Sequence, residues 1–182
     1  PNDPLVGEQW YLPLIRGFDA WAEPPTLEPV IVAVIDSGLD GTHPEFFDRV
    51  EEARSFVSSP ALNDGIGHGT MVAGEIAAAA NNADGIAGLG LNVRLLIAKV
   101  VAPDGSIPLE AEVKAIRWAV DRGARVINLS LGGKRDPTDP SQDTFSELEA
   151  AAVRYAVKAG VVLVAATGNC ESACPHRYAS YP

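Results

Sequence analysis

Two short segments of this chain carry side chains that together could activate a hydroxyl nucleophile. The apolar run at residues 30–35 ends on Asp36, and His68 stands between two glycines at the start of an alanine-rich stretch. An imidazole can take the proton of a serine hydroxyl, and a carboxylate can hold that imidazole in the required tautomer and stabilise its charged form. An amide such as that of Asn169 can stabilise the resulting oxyanion. These residue types predict acyl transfer.

Alternating strand and helix patterns predict the sheet that would position these groups. Four apolar runs are typical of buried parallel strands, at 30–35, 94–101, 125–129 and 161–166. Helical periodicity predicts helices at about 70–80, 109–122 and 145–159, and a short N-terminal helix around 14–21. Gly123 and Gly160 follow two of these helices, at the position where a glycine typically ends a helix. Residues 133–144 are typical of a solvated surface insertion. The alternation predicts an α/β fold, with a doubly wound, mostly parallel sheet flanked by helices.

The candidate residues follow the carboxyl ends of the predicted strands. Asp36 directly follows the first run, residues 130–133 follow the run at 125–129, and residues 167–169 follow the last run. His68 opens a helix at the same edge. Because ligands of open α/β sheets bind outside the carboxyl ends of the strands, this convergence predicts an enzyme.

Composition and charge exclude several other classes of function. The 182 residues, 47% of them hydrophobic, fit one domain with a sizeable core. The net charge of −10 argues against nucleic acid or a membrane surface as the main partner and favours cation binding. No apolar run approaches the roughly 18 residues of a membrane span. No nucleotide-binding glycine pattern follows a strand, and no His-Glu-x-x-His motif supports a metal-dependent hydrolase.

Cys170 and Cys174 are the two cysteines of the chain, separated by three residues. This spacing favours a local disulfide that closes a turn, which would place the protein in an oxidising compartment. Two free thiols are one alternative. Zinc ligation together with His176 is another, although a structural zinc site needs a fourth ligand.

Four motifs resemble those of the subtilisin family of serine proteases, the subtilases, and in particular its thermitase and true subtilisin branch. They are Val-Ile-Asp-Ser-Gly-Leu-Asp-Gly-Thr-His-Pro-Glu at 34–45, Gly-His-Gly-Thr-Met-Val-Ala-Gly at 67–74, Val-Ile-Asn-Leu-Ser-Leu-Gly-Gly at 126–133 and Ala-Ala-Thr-Gly-Asn at 165–169. The resemblance implies a subtilisin-like fold and a secreted, extracellular serine endopeptidase that acts on peptides or proteins. It also implies that Asp36 orients the imidazole, that His68 is the general base, and that Asn169 supplies the oxyanion-hole side chain.

The same resemblance implies two edges that would bind the substrate backbone as an added strand. One edge would consist of Gly105, Ser106 and Ile107, and the other of Ser130, Leu131 and Gly132. Three small residues, Gly132, Gly133 and Ala166, would line the pocket for the substrate residue before the scissile bond. Their size leaves room there for a large apolar side chain.

The family's nucleophile, in a Gly-Thr-Ser-Met-Ala motif that begins a central helix, has no counterpart in this sequence. We therefore expect residues 1–182 to be the N-terminal part of a single peptidase domain, incomplete and inactive alone. The serine would lie on the remaining C-terminal part of the domain, either in the same polypeptide or in a separate chain. The alternative is a non-catalytic subtilase-like domain that binds peptides or serves as a scaffold.

The resemblance further implies a calcium site around the polar loop at 81–88. Its ligands would be the side chains of Asp3, Glu45 and Asn82 and the carbonyls of Ala79, Asp84 and Ile86. Glu45 stands where the family usually has aspartate, one methylene shorter. A second family calcium loop would lie near 55–64, where serines replace acids, so we expect that site to be absent or weak. His43 is expected to pack rather than to react.

Overall fold

The computed structural model describes residues 1–22, 28–135, 144–169 and 177–178. Their strands are β1 (Val30–Asp36), β2 (Val50–Ser55), β3 (Val93–Lys99), β4 (Val126–Leu129), β5 (Lys134–Arg135), β6 (Val162–Ala165) and β7 (Arg177–Tyr178). Their α-helices are α1 (Tyr11–Leu14), α2 (Gly17–Ala22), α3 (His68–Ala77), α4 (Leu109–Asp121) and α5 (Glu147–Lys158). Five strands form a parallel sheet in the order β2-β3-β1-β4-β6, and β5 pairs with β7. The predicted α/β fold with a parallel sheet is confirmed.

Strand β1 lies at the centre of the sheet, which explains its continuous apolar sequence. It pairs in parallel with β3 from Val30 opposite Val93 to Asp36 opposite Lys99, and with β4 on its other side. A strand enclosed on both edges and both faces has no solvent-facing positions that would favour polar side chains. Asp36 is therefore carried to the middle of the sheet's carboxyl edge.

Helices cover both faces of the sheet, as a doubly wound fold requires. Helices α4 and α5 pack on one face, in a core that includes Ile35, Leu96, Ile116, Trp118 and Ile127. Helix α3 packs on the other face, in a core that includes Val34, Leu39, Phe46, Leu95 and Ile97. Each helix places an apolar stripe on the sheet, and the parallel connections between strands run through these helices.

The structure corrects the sequence prediction in three places. The helix expected at 14–21 is replaced by the two short helices α1 and α2, because Arg16 between them has a left-handed backbone with φ of 59°. Strand β2 was not predicted; it is an edge strand, paired with β3, and its charged side chains obscure the pattern of a strand. Of the insertion expected at 133–144, residues 134–135 form β5 and residues 136–143 lie outside the described residues.

Gly123 and Gly160 end helices α4 and α5 with φ of +82° and +79°, so their predicted place at the helix ends is confirmed. Among the described residues, no helix is long and apolar enough to cross a membrane.

Candidate active site

Asp36 and His68 lie in hydrogen-bonding contact. Nδ1 of His68 is 2.8 Å from Oδ1 of Asp36. That oxygen also accepts the backbone N–H of Ser37 at 2.7 Å. The Asp36 side chain is 3% exposed and the His68 side chain 44% exposed. The contact occupies Nδ1, so Nε2 is the ring nitrogen through which His68 can exchange a proton with a substrate.

The second carboxylate oxygen of Asp36, Oδ2, is buried and has no hydrogen-bond partner among the described residues. A buried carboxylate with few donors is poorly solvated, and it gains most when the neighbouring imidazole becomes positively charged. This arrangement can stabilise the imidazolium that forms when His68 accepts a proton.

A further carboxylate, Asp64, fixes the start of the helix that bears His68. Its Oδ1 accepts the hydroxyl of Ser37 at 2.8 Å and the N–H of Gly67 at 2.9 Å. Its Oδ2 accepts the N–H and the hydroxyl of Thr70 at 2.9 and 2.6 Å. The Ser37 hydroxyl in turn accepts the N–H of Gly69 at 2.9 Å. Asp64 thus joins the end of β1 to the first turn of α3, where a negative charge is favourable.

Sequence reasoning missed Asp64 and this role of Ser37. Burial acts to raise the pKa of Asp64, but hydrogen bonds from Thr70, Gly67 and Ser37 outweigh it and hold the pKa below its ordinary value. The carboxylate is therefore ionised at neutral pH. The available signal was an aspartate shortly before a predicted helix start, which is typical of a capping residue.

The glycines that flank His68 serve different purposes. Gly67 precedes helix α3 with φ of +85°, a conformation that favours glycine. Gly69 allows the helix to approach β1, because a Cβ there would clash with the carbonyl oxygen of Gly38 and lie 3.2 Å from Cβ of Asp36. Close approach at Gly69 brings the imidazole within reach of Asp36.

A cleft of about 540 Å³ opens beside His68. Its walls come from the first turn of α3 and from the segments that follow β4 and β6. Most of the predicted catalytic and substrate-binding residues meet here, since the lining consists of His68, Ser130, Leu131, Gly132, Gly133, Ala166, Gly168 and Asn169. The cleft can place a peptide carbonyl between an imidazole and a side-chain amide.

The second predicted substrate edge lies beyond this cleft. Ile107 lines a smaller pocket of about 170 Å³ together with Leu131, Gly132 and Gly133. Gly105 and Ser106 line neither cavity; they are exposed and belong to a turn in which Gly105 has φ of +84°. The two predicted edges therefore meet across the smaller pocket through Ile107, and the roles of Gly105 and Ser106 stay predictions.

Three side chains of the predicted calcium site come together in one cluster. Asp3 and Glu45 are buried. The two oxygens of Asp3 accept the N–H groups of Asn81 and Asn82 at 3.0 and 3.1 Å. Glu45 accepts the Asn82 amide at 2.9 Å and the N–H of Ile86 at 3.0 Å.

These residues fit a calcium ion. Neither Asp3 nor Glu45 has an ion-pair partner within the described part of the chain. Both accept a hydrogen bond from Asn82, and buried carboxylates without a counterion favour a cation. A Cβ at Gly85 would clash with Oε1 of Glu45, so glycine at this position allows the loop to approach the carboxylate closely. No group of three or more His, Cys, Asp or Glu side chains that could hold a metal occurs in the ranges described. A metal here would therefore also need a flipped Asn82 amide and the carbonyls of Ala79, Asp84 and Ile86.

Three other predictions concern His43, a second calcium loop and the two cysteines. His43 packs against Phe46, with ring centroids 5.5 Å apart, and accepts the N–H of Glu45. The expected weakness of a second calcium loop at 55–64 stays a prediction. Cys170 and Cys174, with their possible disulfide, lie outside the described residues.

A carboxyl pair formed by Glu112 of α4 and Glu149 of α5 was not predicted. Glu112 is 7% exposed. Burial, and then the charge and hydrogen bond of Glu149, raise the pKa of Glu112 to about 8. Both residues line the smaller pocket. The signal in the sequence was that Glu112 lies three residues after Leu109 and four before Ile116, on the buried face of the helix.

Comparison with known proteins agrees with this geometry. Residues 28–181 match the profile of the Subtilase family. Thermitase of Thermoactinomyces vulgaris is 36% identical, over 100% of this chain and 62% of its own length. The thermophilic serine proteinase of Bacillus sp. (strain AK1) is 42% identical, over 100% of this chain and 43% of its own. The major intracellular serine protease of Bacillus subtilis (strain 168) is 35% identical, over 86% of this chain and 48% of its own. The chain thus spans about half the length of these relatives.

Proposed function

Because the chain belongs to the subtilase family, we propose that it forms the N-terminal part of a serine endopeptidase. The observation that carries this proposal is the 2.8 Å contact between His68 and Asp36 at the edge of a cleft that Asn169 also lines. The nucleophilic serine would come from the remainder of the domain, and its hydroxyl would stand near His68. The substrate would be a peptide or protein.

The described residues account for the binding and proton-transfer steps of this reaction. A peptide would lie along residues 130–132 as an added strand, with its scissile carbonyl beside Asn169. His68 would take the serine proton through Nε2 and later give it to the leaving amine, while Asp36 stabilises the imidazolium. Asn169 would donate to the oxyanion, and loss of one such donor typically costs about 3–4 kcal/mol of transition-state stabilisation.

Labelling with a fluorophosphonate probe tests this proposal in the full-length protein that contains this chain. We expect one serine to be labelled, and His68→Ala to abolish labelling. Glu75→Gln, an exposed change on the same helix, serves as the matched control and should label normally. Labelling that survives His68→Ala would contradict the role of His68. A full-length protein that resists the probe but binds peptides would instead support the non-catalytic alternative.

We also propose that Ca²⁺ binds at the cluster of Asp3, Glu45 and Asn82. The support is a pair of buried carboxylates without an ion-pair partner in the described residues, both hydrogen-bonded to Asn82. A bound ion would tie the N-terminal segment to the loop that follows α3. A ligand present at about 1,000 times its Kd stabilises a folded protein by about 4 kcal/mol.

Removal of the ion provides the test of the calcium proposal. A chelator should lower the Tm of the full-length protein, and added Ca²⁺ should restore it. Asp3→Asn should shrink this shift, whereas Glu8→Gln, an exposed neighbour in sequence, should preserve it. A Tm that does not respond to the chelator would refute the site.

We propose in addition a secreted, extracellular protein with a Cys170–Cys174 disulfide. The support is the spacing of the two cysteines in the sequence. One relative is named an intracellular protease, so the cysteines rather than family membership carry this proposal. Alkylation of the unfolded protein followed by peptide mapping should find Cys170 and Cys174 unmodified before reduction and both alkylated after it. Alkylation of both cysteines before reduction would contradict the disulfide.

A further inference from the structure

The smaller pocket of about 170 Å³ adjoins the candidate active site but belongs to a separate part of the surface. It shares the wall formed by Leu131, Gly132 and Gly133 with the larger cleft, and its lining includes neither His68 nor Asn169. The opposite wall comes from Ile107 and from helix α4. The pocket therefore lies between the two edges that would hold a bound peptide, displaced from the reacting groups.

An unusual pair of side chains forms part of this pocket. Glu112 is more than nine-tenths buried, and its Oε1 has no hydrogen-bond partner among the described residues. Its carboxyl group is hydrogen-bonded to Glu149, which lines the same pocket. Burial, and then the charge and the hydrogen bond of Glu149, raise the pKa of Glu112 to about 8. A buried acceptor without a partner costs free energy until a donor reaches it.

We propose that this pocket binds a lysine or arginine side chain of the substrate, at a position upstream of the scissile bond. The inference rests on the proposed function and names the class of peptide that the same site selects. Gly132 and Gly133 belong both to this pocket and to the wall expected to hold the residue before the scissile bond. In an extended peptide, alternate side chains point the same way, so a residue further upstream faces the smaller pocket.

Charge and hydrogen bonding favour a basic side chain over an apolar one. An ammonium or guanidinium group can donate to the free oxygen of Glu112, and such charge-assisted bonds are stronger than neutral ones. An apolar side chain would leave that oxygen without a donor in a still drier pocket. An acidic side chain would add a third carboxyl group and be rejected.

A peptide series with the full-length protein tests the proposal. Each of the second to fifth residues before the scissile bond carries lysine, leucine or glutamate in turn, and kcat/KM is measured for every peptide. At one of these positions we expect lysine to exceed leucine by about tenfold, because a site with a buried acceptor discriminates strongly against a substrate without a donor. Glutamate at that position should be cleaved more slowly than leucine.

Two variants connect this preference to the carboxyl pair. Glu112→Gln keeps the shape of the side chain, and it should abolish the lysine preference, so that the lysine and leucine peptides are cleaved with about equal kcat/KM. If Glu112→Gln does not fold, Glu149→Gln takes its place in the test, and it should also abolish the lysine preference. Glu110→Gln is the matched control, since Glu110 is an exposed residue of the same helix, and it should retain the preference.

The outcomes separate this inference from the function on which it rests. Cleavage of all peptides without a lysine preference at any upstream position would overturn the inference and leave the peptidase intact. A preference that survives in both glutamine variants would also overturn it. Failure to cleave any peptide, together with failure of fluorophosphonate labelling, would overturn both proposals.

Discussion

The buried carboxyl group of Glu112 predicts an unusual dependence of stability on pH. Its pKa rises from an ordinary 4.5 to about 8 in the folded protein. Between these values the unfolded chain has lost the proton and the folded protein retains it, so unfolding releases a proton and becomes more favourable as the pH rises. Below the lower value both states are protonated, and above the higher value both are ionised, so neither range adds a further pH dependence.

The size of this effect follows from the two pKa values. A tenfold difference in proton affinity corresponds to about 1.4 kcal/mol, so retention of the proton from pH 4.5 to 8 lowers the unfolding free energy by about 5 kcal/mol over that interval. Glu112→Gln removes the titration and keeps the shape of the side chain. The variant should therefore become more stable relative to the parent as the pH rises, by about 3–5 kcal/mol between pH 4 and pH 9.

Urea denaturation of the full-length protein at a series of pH values measures this difference. Both proteins should carry His68→Ala, so that self-digestion does not interfere with the measurement. Glu110→Gln provides the control, because that exposed side chain should leave the pH profile within about 0.5 kcal/mol of the parent. Parallel pH profiles for Glu112→Gln and the parent would refute the assignment of a retained proton to Glu112.

Three further predictions concern the groups around His68. Asp36→Asn should lower kcat about 10⁴-fold with little change in Tm, because the amide favours the wrong imidazole tautomer; an unchanged kcat would contradict its role. Gly69→Ala should lower kcat/KM at least about 100-fold, because the clash with Gly38 displaces the imidazole, whereas Gly65→Ala meets open space and should leave kcat/KM nearly unchanged. Asp64→Ala should lower the unfolding free energy in urea by about 2–4 kcal/mol, since four donated hydrogen bonds lose their acceptor; a loss below about 0.5 kcal/mol would show that the network adds nothing.

The sequence alone predicts the elements that have a strong apolar pattern. Strands β1 and β3 and helices α4 and α5 lie within a few residues of their predicted bounds. Strand β2 was missed because its position in the sheet depends on backbone pairing with β3, which polar side chains do not reveal. The break at Arg16 was missed for a similar reason, since tertiary packing rather than local preference selects its left-handed backbone.

The site was predictable where chemistry requires particular residue types in a fixed order. Asp36, His68 and Asn169 follow that rule, and the structure places them at one edge of the sheet. The Glu112–Glu149 pair was not predictable, because each glutamate alone is an ordinary helix residue and only the packing of α4 on α5 brings them together.

The order of the elements along the chain has a consequence for synthesis on the ribosome. Strands β1, β2 and β3 and helix α3, with the Asp64 network between them, all lie between residues 30 and 99. A nascent chain that reaches residue 99 already contains Asp36, His68 and the Asp64 network that holds them, whereas the cleft walls that follow β4 and β6 are synthesised later. The groups that position the base are thus synthesised before the segments along which a polypeptide would bind.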